Sequence, residues 1–292
     1  MKNFKKLALM GLTAVMSLSL LAACGGGNSG SAETPANNTE TPSVENTETP
    51  AASGEFTTVE AGKLIMSTNA QFPPYEMVGD GEGYEGTGYE GIDVEIAYAI
   101  AQKLGLELVV DNMGFDAALQ AVQTGKSDIV MAGVTVTDDR LEVMDFSDTY
   151  ANGIQVVIVP ENSDIATIDD LEGKLIGCQM GTTGYIYCSD TPENGGYGED
   201  AVIPYDDGAA AVQALMNGQV DCVVIDNAPA QEYVKANPGL KILDTEFANE
   251  NYAIGFAKGN TALKDAVNAA LIELVEDGTV QSIIDKYIPA EG

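Results

Sequence analysis

The chain has 292 residues, with 13 Lys plus Arg against 45 Asp plus Glu, no histidine and a formal net charge of −32. A chain this acidic repels phosphate backbones and is not expected to bind nucleic acid. Without histidine, zinc chemistry, histidine bases and Ser-His-Asp triads each lose a required part, so no metal and no cofactor are expected. The charge reads as a solvated surface rather than a device for a specific partner.

The first element is a leader. Lys2, Lys5 and Lys6 precede an apolar run over 7–21, diluted by Thr13, Ser17 and Ser19, that ends in Leu21-Ala22-Ala23-Cys24-Gly25. The run is shorter than the roughly 20 residues of a spanning helix. Small residues before a cysteine suit a peptidase, so 1–23 reads as a lipoprotein signal peptide and Cys24 as the lipid anchor. Two acyl chains are expected there, because one alone holds a protein only marginally at a bilayer. Residues 24–58 are rich in Gly, Ser, Thr, Asn, Pro and Glu, with almost no large apolar side chain before Phe56. They read as a lipidated cysteine followed by a disordered tether.

About 230 residues remain, enough for two modest domains with cores of their own. From Lys63 onward short aliphatic runs alternate with helix-period segments, the pattern of parallel sheets covered by helices. Strands are predicted over 63–68, 106–111, 128–132, 155–159, 174–179, 220–225 and 252–257. Helices are predicted over 92–104, 116–124, 209–216, 228–236 and 262–276. In the last of these Leu263, Val267, Leu271, Leu274 and Val275 make one apolar face. Cys178, Cys188 and Cys222 are odd in number and lack metal-ligand spacing. Cys178 and Cys222 fall in apolar strand-like runs, where a buried free thiol is expected.

One segment recurs. Residues 118–130 (ALQAVQTGKSDIV) match 211–223 (AVQALMNGQVDCV) without a gap, each reading as a helix, a glycine cap and a strand. Two copies suggest two similar lobes rather than a solenoid; the alternative is two ordinary αβ units converging on one pattern. Extending the pairing sets Gly133 against Asp226, each just past a strand's carboxyl end, where open α/β sheets bind ligands. Facing lobes would thus bring Gly133 and Thr135 across a cleft from Asp226 and Asn227.

Five segments in order carry a family resemblance: Thr68-Asn69-Ala70-Gln71-Phe72-Pro73-Pro74-Tyr75-Glu76, Gly91-Ile92-Asp93, Ala132-Gly133-Val134-Thr135-Val136-Thr137-Asp138-Asp139-Arg140, Gly181-Thr182-Thr183, and Asp226. Over about 62–288 the chain resembles the substrate-binding proteins of polar amino acid ABC importers, the bacterial extracellular solute-binding proteins of family 3. The resemblance implies a two-lobed periplasmic-binding-protein-like α/β fold of type II. Lobe 1 would be 59–152 plus 250–292 and lobe 2 would be 153–249, with two strands crossing between them as a hinge at 151–153 and 248–251. It also implies a non-enzymatic, monomeric, membrane-anchored extracytoplasmic protein that hands a free, polar L-amino acid to an ABC transporter permease.

The same resemblance implies a ligand set. Arg140 would hold the ligand carboxylate with its planar fork; it and Lys126 are the only basic residues between Gly105 and Lys174. The alternative is an exposed arginine paired with Asp138 or Glu142. Thr135, with Val134 in the same run, and Thr182 and Thr183 at the start of a helix would add donors, although a plain N-cap uses the same groups. Asp226 would take the ammonium group together with the Gly133 carbonyl, or else cap the following helix. Phe72 and Phe115 would sandwich the side chain, with ordinary core packing the other reading of Phe115. Asn69 stands where relatives choosing cationic or amide side chains often carry aspartate, so specificity is read there: the neutral amide weighs against a lysine or arginine ligand unless Glu76 or another acidic group substitutes, and Gln179 would add a hydrogen bond from the other lobe. The loop 79–88 departs from the compact family loop and is either a rim element or solvated. Two other classes stay open: a cyclohexadienyl-dehydratase-like enzyme, for which no histidine base exists, and a tethered amino acid sensor.

Overall fold

The computed structural model describes residues 56–289, so the predicted leader, Cys24 and most of the tether lie outside them. Phe56 already packs against the main apolar core. The chain opens with β1 (Lys63–Thr68), then a small sheet of β2 (Gln71–Phe72), β3 (Glu76–Val78) and β4 (Tyr89–Glu90). Helix α1 (Ile92–Leu104) leads to β5 (Glu107–Asn112), and α2 (Phe115–Gln123) leads to β6 (Ile129–Val130). A short α3 (Asp138–Val143) runs straight into the 17-residue strand β7 (Met144–Pro160).

The second half repeats this alternation: β8 (Ile176–Gln179), α4 (Thr183–Ser189), β9 (Val202–Tyr205), α5 (Gly208–Met216), β10 (Cys222–Asp226), α6 (Asn227–Ala236) and β11 (Leu240–Ile242). Strand β12 (Ala248–Ala257) and helices α7 (Thr261–Glu276) and α8 (Thr279–Tyr287) return to the first half. Each predicted strand and helix has a counterpart, with β1 and α1 matching to the residue. Not predicted were β9, β11, α3, α8, the small sheet and the first half of β7.

The main sheet runs β5-β1-β6-β12-β7-β10-β8-β9, with β11 beside β7. This order is a mirror: an outer parallel pair, an inner parallel strand and an antiparallel crossing strand in each half. The recurring sequence segment supplies matching parts. Both helix ends close with the same backbone pattern, Lys126 N–H to Ala121 O at 2.8 Å and Gln219 N–H to Ala214 O at 2.9 Å. Both turn on a glycine at φ 70°, Gly125 and Gly218. The shared aspartates also do one job: Asp128 accepts the Ile65 N–H at the start of β1, and Asp221 accepts the Leu175 N–H just before β8.

Two strands cross between the lobes. The first part of β7 pairs with the end of β12, Met144 opposite Ala257. Midway, Asn152 faces Asn251 and Gly153 faces Glu250. Beyond that point β7 also lies against β10, Gln155 opposite Asp226. Cys178, Cys188 and Cys222 are buried free thiols in the core of the second half.

Neither Gly125 nor Gly218 has an atom within 4 Å of where a Cβ would sit, so alanine there meets only the cost of a left-handed backbone, about 1–2 kcal/mol. Gly125→Ala and Gly218→Ala should each lower the unfolding free energy by that amount, read in urea titration as a lower midpoint with an unchanged m-value.

Candidate ligand-binding cleft

The cleft lies beyond the carboxyl ends of β1, β6, β8 and β10, and its empty space, open solvent at the mouth included, is about 330 Å³. Asn69, Phe72, Phe115, Gly133 and Thr135 line it from one lobe, with Arg140; Gln179, Thr182, Thr183 and Asp226 line it from the other. Val134, expected with them, does not. It is fully buried in an apolar cluster that includes Ala132 and Met144.

Arg140 is the one basic side chain in the described lining. The first turn of α3 fixes it, because Thr137 caps that helix by accepting the Arg140 N–H at 3.3 Å. The side chain is 8% exposed. It donates from Nη1 to the Thr135 carbonyl at 2.9 Å and from Nη2 to the Gly181 carbonyl of the opposite lobe at 3.3 Å, rather than pairing with Asp138 or Glu142. Its Cζ stands 5.4 Å from the centre of the Phe115 ring. Of five N–H groups, three remain without a protein acceptor among the described residues, enough for a bidentate carboxylate. Burial pulls its pKa below the ordinary value, opposed first by Glu250, and a guanidinium remains a cation through such a shift.

The acidic side of the cleft is larger than the sequence suggested. Asp226 ends β10 and begins α6, yet its carboxylate does not cap that helix. It instead accepts the Tyr252 hydroxyl and the Gln155 amide, the latter at 2.7 Å. Burial first, and then Glu250, push Asp226 up to about 8. Glu76 is fully buried at the cleft wall, where the carboxyl of Asp93 is its hydrogen-bonding neighbour and no basic group meets it among the described residues. Burial and neighbouring Asp93 hold it well above the carboxylate range. Asp93, in the first turn of α1, accepts the Gly133 N–H at 3.0 Å and is itself pushed up by burial to about 6.

The remaining predicted residues divide. Gln179 donates to Asn69 Oδ1 at 3.0 Å and Asn69 donates to the Met113 carbonyl at 2.9 Å. Asn69 is therefore a cross-cleft tie already satisfied by protein groups, and Glu76 is an acid in the same lining. Thr182 caps α4, accepting the Tyr185 N–H and donating to the Gln179 carbonyl. Phe115 is both wall and core. Phe72 needs Gly133: a Cβ there would stand 2.7 Å from the Phe72 ring. The 79–88 loop turns away from the cleft, with Tyr84 edge-on to Tyr98 of α1 at 5.4 Å and under Lys286 of α8.

Reasoning from sequence missed Gln155, Glu250 and Tyr252 outright and gave Asp93 no role. The readable signal was Gln155, a lone amide in an otherwise apolar strand, which demands a buried polar partner.

Lobes joined by crossing strands around a polar cleft define a two-lobed periplasmic-binding-protein-like α/β fold of type II. Within that class, residues 64–290 match the family described as bacterial extracellular solute-binding proteins, family 3, and the chain belongs to it. It is 34% identical over 236 residues to a probable histidine-binding protein of Neisseria gonorrhoeae, covering 79% of this chain and 85% of that one. It is 32% identical over 235 residues to the L-cystine-binding protein TcyJ of Escherichia coli strain K12, covering 80% and 85%. Among solved structures it resembles the arginine-, lysine-, histidine-binding protein ArtJ of Geobacillus stearothermophilus, with a TM-score of 0.70, 32% identity and coverage of 79% and 96%. These relatives are binding proteins rather than enzymes. Among the described residues no helix is long and apolar enough to cross a membrane.

Asp226 titrates near 8 folded, against an ordinary value of 3.8. A raised folded pKa contributes stability that is complete below about pH 4 and is lost as pH rises through about 8. The melting temperature without ligand should accordingly fall between about pH 5 and pH 8, and Asp226→Asn should flatten that fall in a thermal-melt series.

Proposed function

We propose that this protein is the extracytoplasmic substrate-binding component of an amino acid ABC importer and that its ligand is an L-amino acid with a cationic side chain. Arg140 and the Thr135 hydroxyl and N–H take the carboxylate, Asp226 and the Gly133 carbonyl take the ammonium, and Phe72 and Phe115 flank the side chain. One observation carries the choice of ligand: Glu76, fully buried and met by the carboxyl of Asp93 rather than by any cation among the described residues, lines a cleft already holding Asp226. Neighbouring buried carboxyls cannot all ionise unless something cationic meets them, and a guanidinium or ammonium side chain supplies that charge. The relatives named for histidine and for arginine, lysine and histidine lend support.

Lobe 1 comprises 59–152 and 250–292 and lobe 2 comprises 153–249. The monomer closes on its ligand and delivers it to a membrane permease, held at the membrane through a lipid on Cys24 after removal of 1–23. Closure is favoured only by contacts the ligand makes better in the closed state.

A thermal-shift panel of the common amino acids tests the ligand class. At a concentration near 100 times the dissociation constant, arginine or lysine should stabilise the protein by about 2.7 kcal/mol, roughly 5–10 °C; no shift with any amino acid overturns the proposal. Arg140→Ala should abolish the shift for every ligand. Glu76→Gln should reduce the shift for arginine and lysine more than that for glutamine, and calorimetry should place the arginine loss at about 2–3 kcal/mol.

A further inference from the structure

Glu250 stands in the crossing part of β12, opposite Gly153, and is not part of the cleft lining. It is nonetheless only 4% exposed. Its Oε2 accepts the Thr135 hydroxyl of lobe 1 at 3.0 Å and the Gln155 amide at 3.1 Å, and its Oε1 has no partner among the described residues. The same Gln155 nitrogen lies 2.7 Å from Asp226 Oδ2. Two carboxyl groups thus clamp one amide nitrogen at the floor of the cleft, and Arg140 spends two of its N–H groups on carbonyls rather than on either of them.

Like charges in so dry a place cannot both persist without a counter-ion, and one proton between them is the stable arrangement. We infer that Glu250 is a positioning residue that makes ligand binding release a proton: its carboxyl, clamped with that of Asp226 on one amide nitrogen, keeps a proton on Asp226 before the ligand arrives, and the ligand's α-ammonium group replaces it. The proton leaves the Asp226 carboxyl for solvent, and the arriving ammonium neutralises the charge left behind. The inference rests on the proposed reading of Asp226 as the ammonium site. The groups facing Asp226 agree with the direction. Glu250 and Tyr252 come from β12, Tyr75 and Glu76 from the β2–β3 region, Tyr187 from α4, and Arg140 is the one cation. Acids and phenols therefore dominate, and Asp226 is held up near 8.

Proton release fixes the sign of the pH dependence. Where Asp226 is protonated before binding and ionised after it, affinity rises with pH by up to about tenfold per unit, and it levels off once Asp226 is ionised without ligand. Titration calorimetry of the purified protein with L-arginine, in two buffers of different ionisation enthalpy, reads the protons directly. At about pH 6.5 at least one proton should leave per arginine bound, and at about pH 9 the Asp226 contribution should be gone. Glu250→Gln keeps an acceptor for Thr135 but removes the charge; it should still bind arginine, release about one proton fewer at the lower pH, and show a flatter affinity profile. Glu76 also releases a proton to solvent when a guanidinium arrives beside it, but that share is untouched by Glu250→Gln.

No binding heat with arginine at any pH overturns the proposed function. Binding without proton release near pH 6.5 overturns the inference alone, as does a Glu250→Gln protein that binds arginine and releases as many protons as the parent. Should Glu250→Gln fail to fold, the Glu76→Gln protein decides: with the Glu76 proton removed, release of about one proton per arginine near pH 6.5 supports the inference and release of none overturns it.

Discussion

Four buried carboxyl groups, Glu76, Asp93, Asp226 and Glu250, share the region of one buried guanidinium, Arg140. That imbalance of charge is the constraint on which the site depends. Desolvation raises the cost of ionising Glu76, Asp93 and Asp226, and no other basic side chain in the described lining offsets it. The neutral groups nearby are arranged to limit the cost: Gln155 between Asp226 and Glu250, Tyr252 on Asp226, and the Gly133 N–H on Asp93. What is left of that cost would fall on the entry of a positively charged group, as the proposed ligand requires.

Beyond the Tyr252–Asp226 and Gln155–Glu250 bonds at the crossing strands, the lobes meet across the cleft, among the described residues, through Gln179 to Asn69, Arg140 to the Gly181 carbonyl, and the Tyr233 hydroxyl to the Gln71 carbonyl. Each is worth on the order of 1 kcal/mol net. Contacts of that size hold a closed shape only weakly, which leaves a ligand making several charge-assisted bonds able to decide the balance. The crossing strands connect that balance to the site, since Gln155, Glu250 and Tyr252 all lie on β7 and β12.

Much of the fold was legible because local signals and tertiary demand agree. Gly105 in a left-handed conformation stops α1 where its apolar pattern ends, and the recurring segment foretold a mirrored sheet. The first half of β7 was hidden because Asp145, Ser147 and Asp148 give it a polar cast, although Met144 and Tyr150 anchor it inside. Arg140, Thr135 and Asp226 were readable as residue types suited to a zwitterion. Glu250 was not: within Asn249-Glu250-Asn251 it looks like part of a solvated bend, and only pairing with β7 turns its side chain inward. Asn69 was misjudged in emphasis, because a sequence cannot say that Gln179 from the other lobe already answers it.

The mirrored sheet has a consequence for how the molecule is made. Strand β12 sits between β6 and β7, so the first sheet lacks its inner strand until the chain is synthesised past Ala257. The second half has β8, β9 and β10 in one continuous stretch and meets its partner β7 just upstream. During synthesis from the N-terminus the later half of the molecule can assemble first, while the earlier half waits for the C-terminal segment. Such a chain stays open along most of its length while it emerges, which is the condition in which a polypeptide is most easily threaded through a narrow passage.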